Sequence, residues 1–468
     1  MIAVRATNAD KASESAYLQF RTMVPGSPGY VELMQLGEAH LLASHKEEKF
    51  VTRACEMGFS LPVPIQTFYL NTLGKWHRCI NIRALAEHIL VKYPHKLLAG
   101  HSCADKTSFY HVMEEFWRAF RLYNANHPVF ADFANNLRHC IPMKIHIDEG
   151  TGLRRAAVNQ FSWGPLLSSS PNSLDRYFFW SCMNGEEYKN ANAGYERGNA
   201  ILDEVSERLA AQAQSVYLEG VSCPGIGKLH FVWVALEGDL PAQARALHCK
   251  RNFNCMPDQL CPWCHADDLQ VPFTDFRPVA AWRRTVGASR PWTTESPMLG
   301  IAGAGHEVFL AKDLFHLCHL GAVRGFAVNV LCYLATMAHF EGNNIPDKLS
   351  SAYGEFKRFC TSKGATPMVK HFTKDNLGWS SLNSYPQCSF KGSDTRLILG
   401  FVLQIMLNPR VALDDIASEA LLAASAMDDF LRLIFGLKDN TGCKQALLSR
   451  QEGSRALVLL KTWIEKIY

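Results

Sequence analysis

Two apolar, strand-like runs that each lead to an acidic residue constrain the fold more than any other feature of this sequence. The first run, 142–147, is followed by Asp148, and the other, 229–236, leads to Asp239. Between them lie a glycine turn at 150–152, further apolar runs at 155–167 and 177–182, and a segment at 199–218 with one apolar helical face. The sequence therefore predicts the order strand, tight turn, strand, strand, helix, strand.

This order, with a carboxylate at the end of its first and fourth strands, predicts an α/β core with a ribonuclease-H-like mixed sheet. Phosphodiester cleavage by two Mg²⁺ ions requires carboxylates on rigid neighbouring strands that converge on one point. If the first and fourth strands are neighbours in the sheet, Asp148 and Asp239 lie side by side. A single Asp after a strand is more often a turn residue or a helix cap, so the interpretation depends on the pair and the strand order together.

Length and composition bound the domain organisation. The chain has 468 residues, 48% of them hydrophobic and 20% charged, which is enough for about three domains with buried cores. Its formal net charge of +4 does not by itself indicate nucleic-acid binding. We predict a mainly helical region at 1–138, the α/β core at 139–270, an insertion at 271–346 and a helical region at 347–468. Large all-α regions would thus flank the core.

Cysteine usage and the N-terminal residues indicate an intracellular protein. The 15 cysteines lack the regular spacing of a secreted disulfide framework, and the N-terminal residues contain no apolar signal core. The longest apolar helix, near 325–340, is too short to span a bilayer comfortably. We therefore expect a nuclear or other intracellular protein that is not secreted and has no membrane partner.

A Cys-x-x-Cys pair indicates half of a zinc site. Cys261 and Cys264 have the spacing with which two thiolates bind one ion, and His316 and His319 share a helix face some fifty residues later. We predict that these four residues bind a structural Zn²⁺, with His265 and Cys318 in reserve. The alternative is that the cysteines are buried thiols and the histidines are ordinary core residues.

Basic residues interleaved with tryptophans indicate a DNA-contacting loop between the two halves of that zinc site. This combination suits phosphate contact and base stacking, although an ordinary surface loop anchored by its tryptophans has the same composition. Two further arginines follow the glycine turn, where substrate phosphate would approach or where a strand edge would simply face solvent. The predicted DNA-binding residues are Arg277, Trp282, Arg283, Arg284, Arg290, Arg154 and Arg155.

Several short motifs, in this order along residues 100–440, resemble transposon-derived proteins. They are Ile147-Asp148-Glu149-Gly150, Glu237-Gly238-Asp239, Cys261-Pro262-Trp263-Cys264-His265, Asp313-Leu314-Phe315-His316-Leu317-Cys318-His319-Leu320-Gly321, Lys391-Gly392 and Asp394-Thr395. The chain is similar to a repetitive protein family of protist genomes and, more distantly, to the Plavaka and Kyakuja-Dileera-Zisupton transposases. The resemblance implies a cut-and-paste DNA transposase with a ribonuclease-H-like core, a zinc element inserted before the last acid, and Asp148 and Asp239 as metal ligands.

Such an enzyme needs a third acid, usually on a late helix. The candidates are Asp313, Glu341, Asp347 and Asp394, of which we assign the role to Asp394, although Asp394 is also well placed to cap the helix that follows it. The chain ends within a helical pattern at Tyr468. A truncated or decayed copy is therefore an alternative to an active enzyme.

The leading hypothesis is a transposase-like protein that cleaves and joins DNA with Mg²⁺ or Mn²⁺ at its acids and Zn²⁺ at the Cys₂His₂ set. DNA would be its partner, and a homo-oligomer is left open. The alternative is a non-catalytic, zinc-stabilised protein that binds DNA or assembles with other proteins. The two differ in whether a third acid lies within reach of both Asp148 and Asp239.

Overall fold

The computed structural model describes residues 9–41, 46–57, 63–151, 157–168, 176–188, 199–249, 260–268, 270–275, 277, 279–288, 290, 292, 295–337, 339–381, 384–436 and 450–467. The chain divides into two compact units, Met1–Ile65 and Gln66–Tyr468. The second unit contains the whole of the predicted α/β core, so the two aspartates that sequence analysis singles out belong to it.

The first unit is a small helical assembly. Its helices are α1 (Ala9–Thr22), α2 (Tyr30–Glu38) and α3 (Lys46–Glu56). Buried Ala16, Leu36 and Phe50 belong to its hydrophobic core. A Cβ on Gly37 would lie 2.7 Å from the Cα atom of Tyr17, so a glycine in α2 is what allows α1 and α2 to approach closely.

A mixed sheet of seven strands organises the second unit. Its strands are β1 (Ile65–Leu70), β2 (Lys75–Ile80), β3 (Cys140–Thr151), β4 (Ala157–Pro165), β5 (Phe178–Asn184), β6 (Val221–Cys223) and β7 (Gly227–Gly238). Their order across the sheet is β1-β2-β5-β4-β3-β7-β6. Strand β3 pairs antiparallel with β4 and parallel with β7, while the β2–β5, β4–β5 and β6–β7 pairs are antiparallel. The predicted first and fourth strands are thus neighbours.

Helices pack against this sheet. They are α4 (Ile82–Lys92), α5 (Lys106–Phe120), α6 (Ala200–Leu218) and α7 (Leu240–Ala246). Helix α6 begins after Asn199, whose side chain accepts hydrogen bonds from the first backbone N–H groups of the helix. Two fully buried tryptophans of the sheet donate to α6, Trp180 to the Gln212 side chain at 3.3 Å and Trp233 to the Ala213 carbonyl at 3.0 Å. Burying a large apolar side chain contributes about 1.5–3 kcal/mol, so this packing fixes α6 on the sheet.

The C-terminal part of the second unit is helical. A π-helix (Phe315–Ala322) leads into α8 (Val323–Thr336), and α9 (Ile345–Ser362), α10 (Gly392–Met406), α11 (Asp415–Gly436) and α12 (Arg450–Ile467) follow. Their apolar faces share one core that includes the fully buried Leu331, Phe356 and Leu399. The coarse prediction of an α/β core with a mixed sheet and extensive helical regions is therefore confirmed.

Strands β1 and β2 lie within the region that the sequence predicts to be mainly helical. They are short, and β2 joins the central sheet through its pairing with β5, where Cys79 lies opposite Ser181. Two strands of the sheet thus lie upstream of the predicted core. The predicted start of the core at residue 139 is therefore not the start of the sheet.

The helical stretch Phe315–Thr336, which is kinked at Gly321, is long and apolar enough to cross a membrane by length and composition alone. Half of it is buried inside the protein. Residues of α8 within it, including the fully buried Val323 and Leu334, belong to the hydrophobic core of the helical region. We therefore interpret it as a core element of the helical region.

Candidate metal centre

Strand β3 has one buried apolar face and one partly exposed polar face. Met143, Ile145 and Ile147 are at most 1% exposed, whereas the alternate residues Lys144, His146 and Asp148 are partly exposed. Side chains on a strand alternate between faces, so a single polar row leads to Asp148. The strand thereby holds this carboxylate at a fixed place on the open face.

Asp239 reaches the same place from the neighbouring strand β7. The register of the parallel pair sets Ile147 opposite Gly238, so Asp148 and Asp239 follow as neighbours. A Cβ on Gly238 would lie 2.1 Å from the carbonyl oxygen of Ile147, so glycine is required for the strands to come this close. Asp239 also caps helix α7, because one of its carboxylate oxygens accepts a hydrogen bond from Ala242 N at 2.7 Å.

The chain returns to this sheet edge at Leu310. Leu310 forms an isolated parallel β-bridge with Leu236, and Ala311 N donates to the Leu236 carbonyl at 3.0 Å. From α7, the side-chain amide of Gln243 donates to the carbonyls of Leu236 and Ala311, at 3.0 and 2.6 Å. These bonds attach the segment to the end of β7, so Asp313, two residues further on, enters beside Asp239.

Asp313 shapes the first turn of the π-helix and orients His316. One of its oxygens accepts hydrogen bonds from the backbone N–H groups of Phe315 and His316, at 2.8 and 3.2 Å. Its other oxygen lies 2.8 Å from Nδ1 of His316. A carboxylate on one imidazole nitrogen fixes the ring and leaves Nε2 for a ligand. Helices of the π type occur often at functional sites.

The ligand atoms of Asp148, Asp239 and His316 all lie within 4.8 Å of one another. No other group of three or more His, Cys, Asp or Glu side chains meets this distance among the residues that the structure describes. All three side chains are partly exposed. Two carboxylates and one imidazole that converge in this way form a donor set for a divalent cation.

The electrostatics of the three groups reflect their closeness. Burial raises the pKa of Asp239, and the charge of Asp148 acts in the same direction. The hydrogen bond to Asp313 raises the pKa of His316 above its ordinary value, with both ligand aspartates contributing in the same sense. Burial opposes ionisation of Asp313, but the hydrogen bond to His316, the charge of His316 and the two backbone N–H donors together outweigh it and lower the Asp313 pKa. A bound cation would relieve the repulsion between the two ligand carboxylates.

A partly buried ion pair lies next to the centre on the same polar face. Nζ of Lys144 donates to Tyr177 Oη at 2.7 Å and to Glu237 Oε2 at 2.8 Å, and Tyr177 Oη donates to the same Glu237 oxygen at 3.0 Å. Burial alone would lower the pKa of Lys144, but the charges and hydrogen bonds of Glu237 and Tyr177 together raise it. The Glu237 carboxylate is thus already engaged, which distinguishes it from Asp148 and Asp239.

The structure does not bring the four predicted zinc residues together. No three of Cys261, Cys264, His316 and His319 come within 4.8 Å of one another, and all four are described residues. His316 instead joins the aspartates, because Asp313 and the Leu310 segment direct it there. His319 is buried, and its ring stacks on Phe315 at a centroid distance of 5.3 Å. A zinc ion at Cys261 and Cys264 stays a prediction, but His316 lies elsewhere.

Asp394 is not placed to act as the third acid. It is 1% exposed, and its two oxygens accept hydrogen bonds from the backbone N–H groups of Met368 and Val369, at 2.8 and 2.9 Å. It fixes this loop to α10, which begins at Gly392, so it lies within the first turn instead of capping the helix. The side chain that joins Asp148 and Asp239 is instead that of His316.

The predicted DNA-contacting residues are only partly available for phosphate. Arg277 forms a two-point ion pair with Asp275 at 2.9 Å, and Arg290 lies 3.7 Å from Glu295. The guanidinium of Arg283 lies 4.6 Å from the ring centroid of Trp282. Arg284 is exposed, and the ion pairs that the structure describes do not include it. Arg154 and Arg155 lie outside the described residues.

The Cys-x-x-Cys segment links this basic loop to the metal centre. Trp263 Nε1 donates to the Leu310 carbonyl at 3.2 Å, and the Trp263 carbonyl accepts from Gly287 N at 3.0 Å. His265 N donates to Thr285 Oγ1 at 2.9 Å. The basic loop is therefore attached, through one short segment, to the chain that carries Asp313 and His316.

A scan of protein-family models and searches of curated proteins and of solved structures found no match to this chain. The functional interpretation therefore depends on the geometry of the site itself.

The sequence singles out two of the three residues that converge, Asp148 and Asp239, and gives His316 a different partner set; that any of them binds a metal stays a prediction. His316 was assigned to the zinc set, although its spacing from Asp313 contained a usable signal. An Asp three residues before a His at a helix start can cap the turn and hold the ring at once.

Proposed function

We propose that this chain is a transposase-like DNA-processing protein whose core is ribonuclease-H-like and binds a divalent cation at Asp148, Asp239 and His316. The convergence of these three ligands within 4.8 Å is the observation that carries the proposal. The strand order β5-β4-β3-β7, with β3 and β7 parallel, supports the fold. The parallel bridge of Leu310 to Leu236 supports it too, because it adds a further parallel partner alongside the last residues of β7.

The donor set narrows the choice of ion. Carboxylates suit Mg²⁺ and Mn²⁺, whereas an imidazole ligand favours a first-row transition ion over Mg²⁺. We therefore expect Mn²⁺ to bind more tightly than Mg²⁺ at this centre. The ion would supply Lewis-acid activation of a phosphodiester. Asp148 and Asp239 provide its negative ligands, and Asp313 holds the His316 ring in position.

DNA fits as the substrate because basic and aromatic side chains are attached to the same sheet edge. Arg284 and the Arg283–Trp282 pair lie in the loop that the Cys-x-x-Cys segment ties to Leu310. Phosphate contacts by arginine position nucleic acid without reading its sequence. A DNA-processing role implies a nuclear location in a eukaryotic cell, and zinc at Cys261 and Cys264 would stiffen the linking segment.

Replacing Asp148 by Asn tests the proposal. We expect the Asp148→Asn protein to fold normally, to bind Mn²⁺ much more weakly and to lose Mn²⁺-dependent nicking of supercoiled DNA, because one of two negative ligands is gone. Calorimetric Mn²⁺ titration and a plasmid nicking assay provide the measurements. The matched control is Asp429→Asn, which neutralises an exposed carboxyl on α11. Nicking and Mn²⁺ binding that survive Asp148→Asn would reject the proposal.

One observation favours the non-catalytic alternative. The third ligand is an imidazole, and among the described residues no third carboxylate joins the two aspartates. Two-metal cleavage needs enough negative ligands to hold both ions in register. A protein that binds DNA and one Mn²⁺ but does not nick any DNA substrate would be this zinc-stabilised DNA-binding or assembly protein, and the wild-type nicking assay separates the two.

A further inference from the structure

A second cluster of polar side chains lies behind the metal centre, on the opposite face of β3. Glu149 follows Asp148 directly and therefore points to the other side of the strand. Oε2 of Glu149 accepts hydrogen bonds from the hydroxyl of Tyr188 and from Nη1 of Arg245, the latter at 3.4 Å. The side chains of Arg245 and Glu149 are only 13% and 23% exposed. This Glu149–Arg245–Tyr188 cluster joins three separate segments.

Tyr188 is firmly held within that cluster. It is 1% exposed, and its backbone carbonyl accepts a hydrogen bond from Asn199 Nδ2 at 2.8 Å. Asn199 is itself the N-cap of the long helix α6. The guanidinium of Arg245 lies 5.6 Å from the centroid of the Tyr188 ring. The cluster therefore connects the end of β3 to α6, which is packed on the sheet.

Arg245 belongs to the short helix that begins at Asp239. Helix α7 has seven residues, Leu240–Ala246, and Asp239 is its N-cap. Isolated helices of this length are not stable in water, so contacts with the rest of the protein must hold α7 in place. Gln243 fastens α7 to the Leu236 and Ala311 carbonyls, and Arg245 fastens its last turn to Glu149.

We propose that Arg245 and Glu149 are positioning residues that keep Asp239 and Asp148 converged for metal binding. Each residue of this pair is rigidly connected to one ligand: Glu149 is the next residue after Asp148, and Arg245 lies on the helix that Asp239 caps. The two ligand carboxylates repel each other when no cation lies between them. The ion pair on the opposite face resists this repulsion, so the site is preorganised before the ion arrives.

This inference rests on the proposed cation site. If only the charge of Arg245 mattered, its removal would have the opposite effect on Mn²⁺ affinity. Removal of a positive charge near the site would strengthen cation binding if only electrostatics mattered. Loss of positioning weakens it, and residues that hold metal ligands in place typically contribute about 10–100-fold to affinity. We expect Arg245→Met to weaken Mn²⁺ binding about tenfold and Arg245→Lys, which keeps the charge, to lose less.

The measurement is calorimetric titration of the folded full chain with Mn²⁺, with the folded fraction checked by circular dichroism. Arg208→Met, which removes an exposed arginine from α6, is the matched control and should leave the dissociation constant unchanged. The double variant Glu149→Gln with Arg245→Met should lose as much Mn²⁺ affinity as either single variant. The reason is that the two substitutions break the same contact. Tyr188→Phe removes only a hydroxyl, so it tests the cluster even if Arg245→Met does not fold.

Unchanged or tighter Mn²⁺ binding by folded Arg245→Met and by Tyr188→Phe would overturn the inference. A merely structural role would lower the unfolding temperature of these variants and leave their Mn²⁺ dissociation constants at the wild-type value. If Asp148→Asn also binds Mn²⁺ normally, the proposed site itself fails. If Asp148→Asn loses binding and the Arg245 variants do not, only the positioning role fails.

Discussion

Asp239 in the sheet region and Asp394 in the helical region both lie at the start of a helix, but the structure uses them differently. One oxygen of Asp239 caps α7 through Ala242 N, and its carboxylate still belongs to the candidate metal centre. Both oxygens of Asp394 accept hydrogen bonds from backbone N–H groups, those of Met368 and Val369. A carboxylate binds an ion through lone pairs that the protein leaves available, so Asp239 keeps the capacity to act as a ligand, whereas Asp394 has a structural role.

The largest effect that separates these roles is expected at Asp394. The Asp394→Asn variant should lose about 3 kcal/mol of unfolding free energy, because buried N–H groups lose a charged acceptor and one faces an amide donor instead. Its Mn²⁺ affinity should stay at the wild-type value. Urea denaturation and calorimetric titration measure the two quantities. Normal stability combined with weakened Mn²⁺ binding would mean that Asp394 is a ligand after all.

The next largest effect is expected at Asp313, which contacts a ligand without belonging to the group of three. Asp313→Asn should weaken Mn²⁺ binding by about 10–100-fold, because the His316 ring loses the carboxylate that orients it. The structure offers a matched control in Asp203→Asn, since Asp203 lies 2.9 Å from His248 in a similar pair outside the site. Equal effects of the two substitutions on Mn²⁺ affinity would contradict the role of Asp313.

A smaller effect, on the pH dependence of the unfolding free energy, should test the contact between Asp313 and His316 in the absence of metal. The pKa of His316 is higher in the folded protein than its ordinary value of 6.5. Protonated His316 therefore stabilises the fold below pH 6.5, and this stabilisation is lost as the pH rises through the pKa of the folded state. The lowered pKa of Asp313 gives stability that is present above its ordinary value of 3.8. The wild-type protein should therefore have a higher unfolding free energy than Asp313→Asn, and the difference should be largest between pH 3.8 and pH 6.5. A difference that grows above neutral pH in metal-free urea titrations would refute this.

The strand order and the pairing of Asp148 with Asp239 were predictable because they depend on periodic patterns and on chain topology. Apolar runs of strand length, the helix that begins after Asn199 and the position of the acids all appear in the sequence. The parallel direction of β7 beside β3 depends in addition on the short β6, which follows α6 and forms an antiparallel hairpin with β7. The coarse α/β architecture required no knowledge of side-chain contacts.

The third member of the candidate metal centre was not predictable in the same way, because it comes from a distant segment. His316 follows the isolated bridge at Leu310, and a bridge of one residue leaves no strand pattern in the sequence. The Cys-x-x-Cys pair offered a competing partner for both His316 and His319. The structure separates these histidines, one to the aspartates and one to a buried contact with Phe315.

Strands β1 and β2 were missed because the surrounding region has strong helical periodicity. Each has six residues, and the turn between them includes Gly74, whose φ of +62° suits a tight reversal. Short strands at the edge of a sheet gain most of their stability from pairing, here of β2 with β5. Such pairing is tertiary, so local sequence offered little sign of it.

The most direct test of the central claim is a crystal structure of the full chain soaked in Mn²⁺, with anomalous data to locate the ion. The account predicts an anomalous peak bound by the carboxylates of Asp148 and Asp239 and by Nε2 of His316, with Asp313 on Nδ1. An empty site at these residues, or an ion that His316 binds together with Cys261 and Cys264, would contradict it.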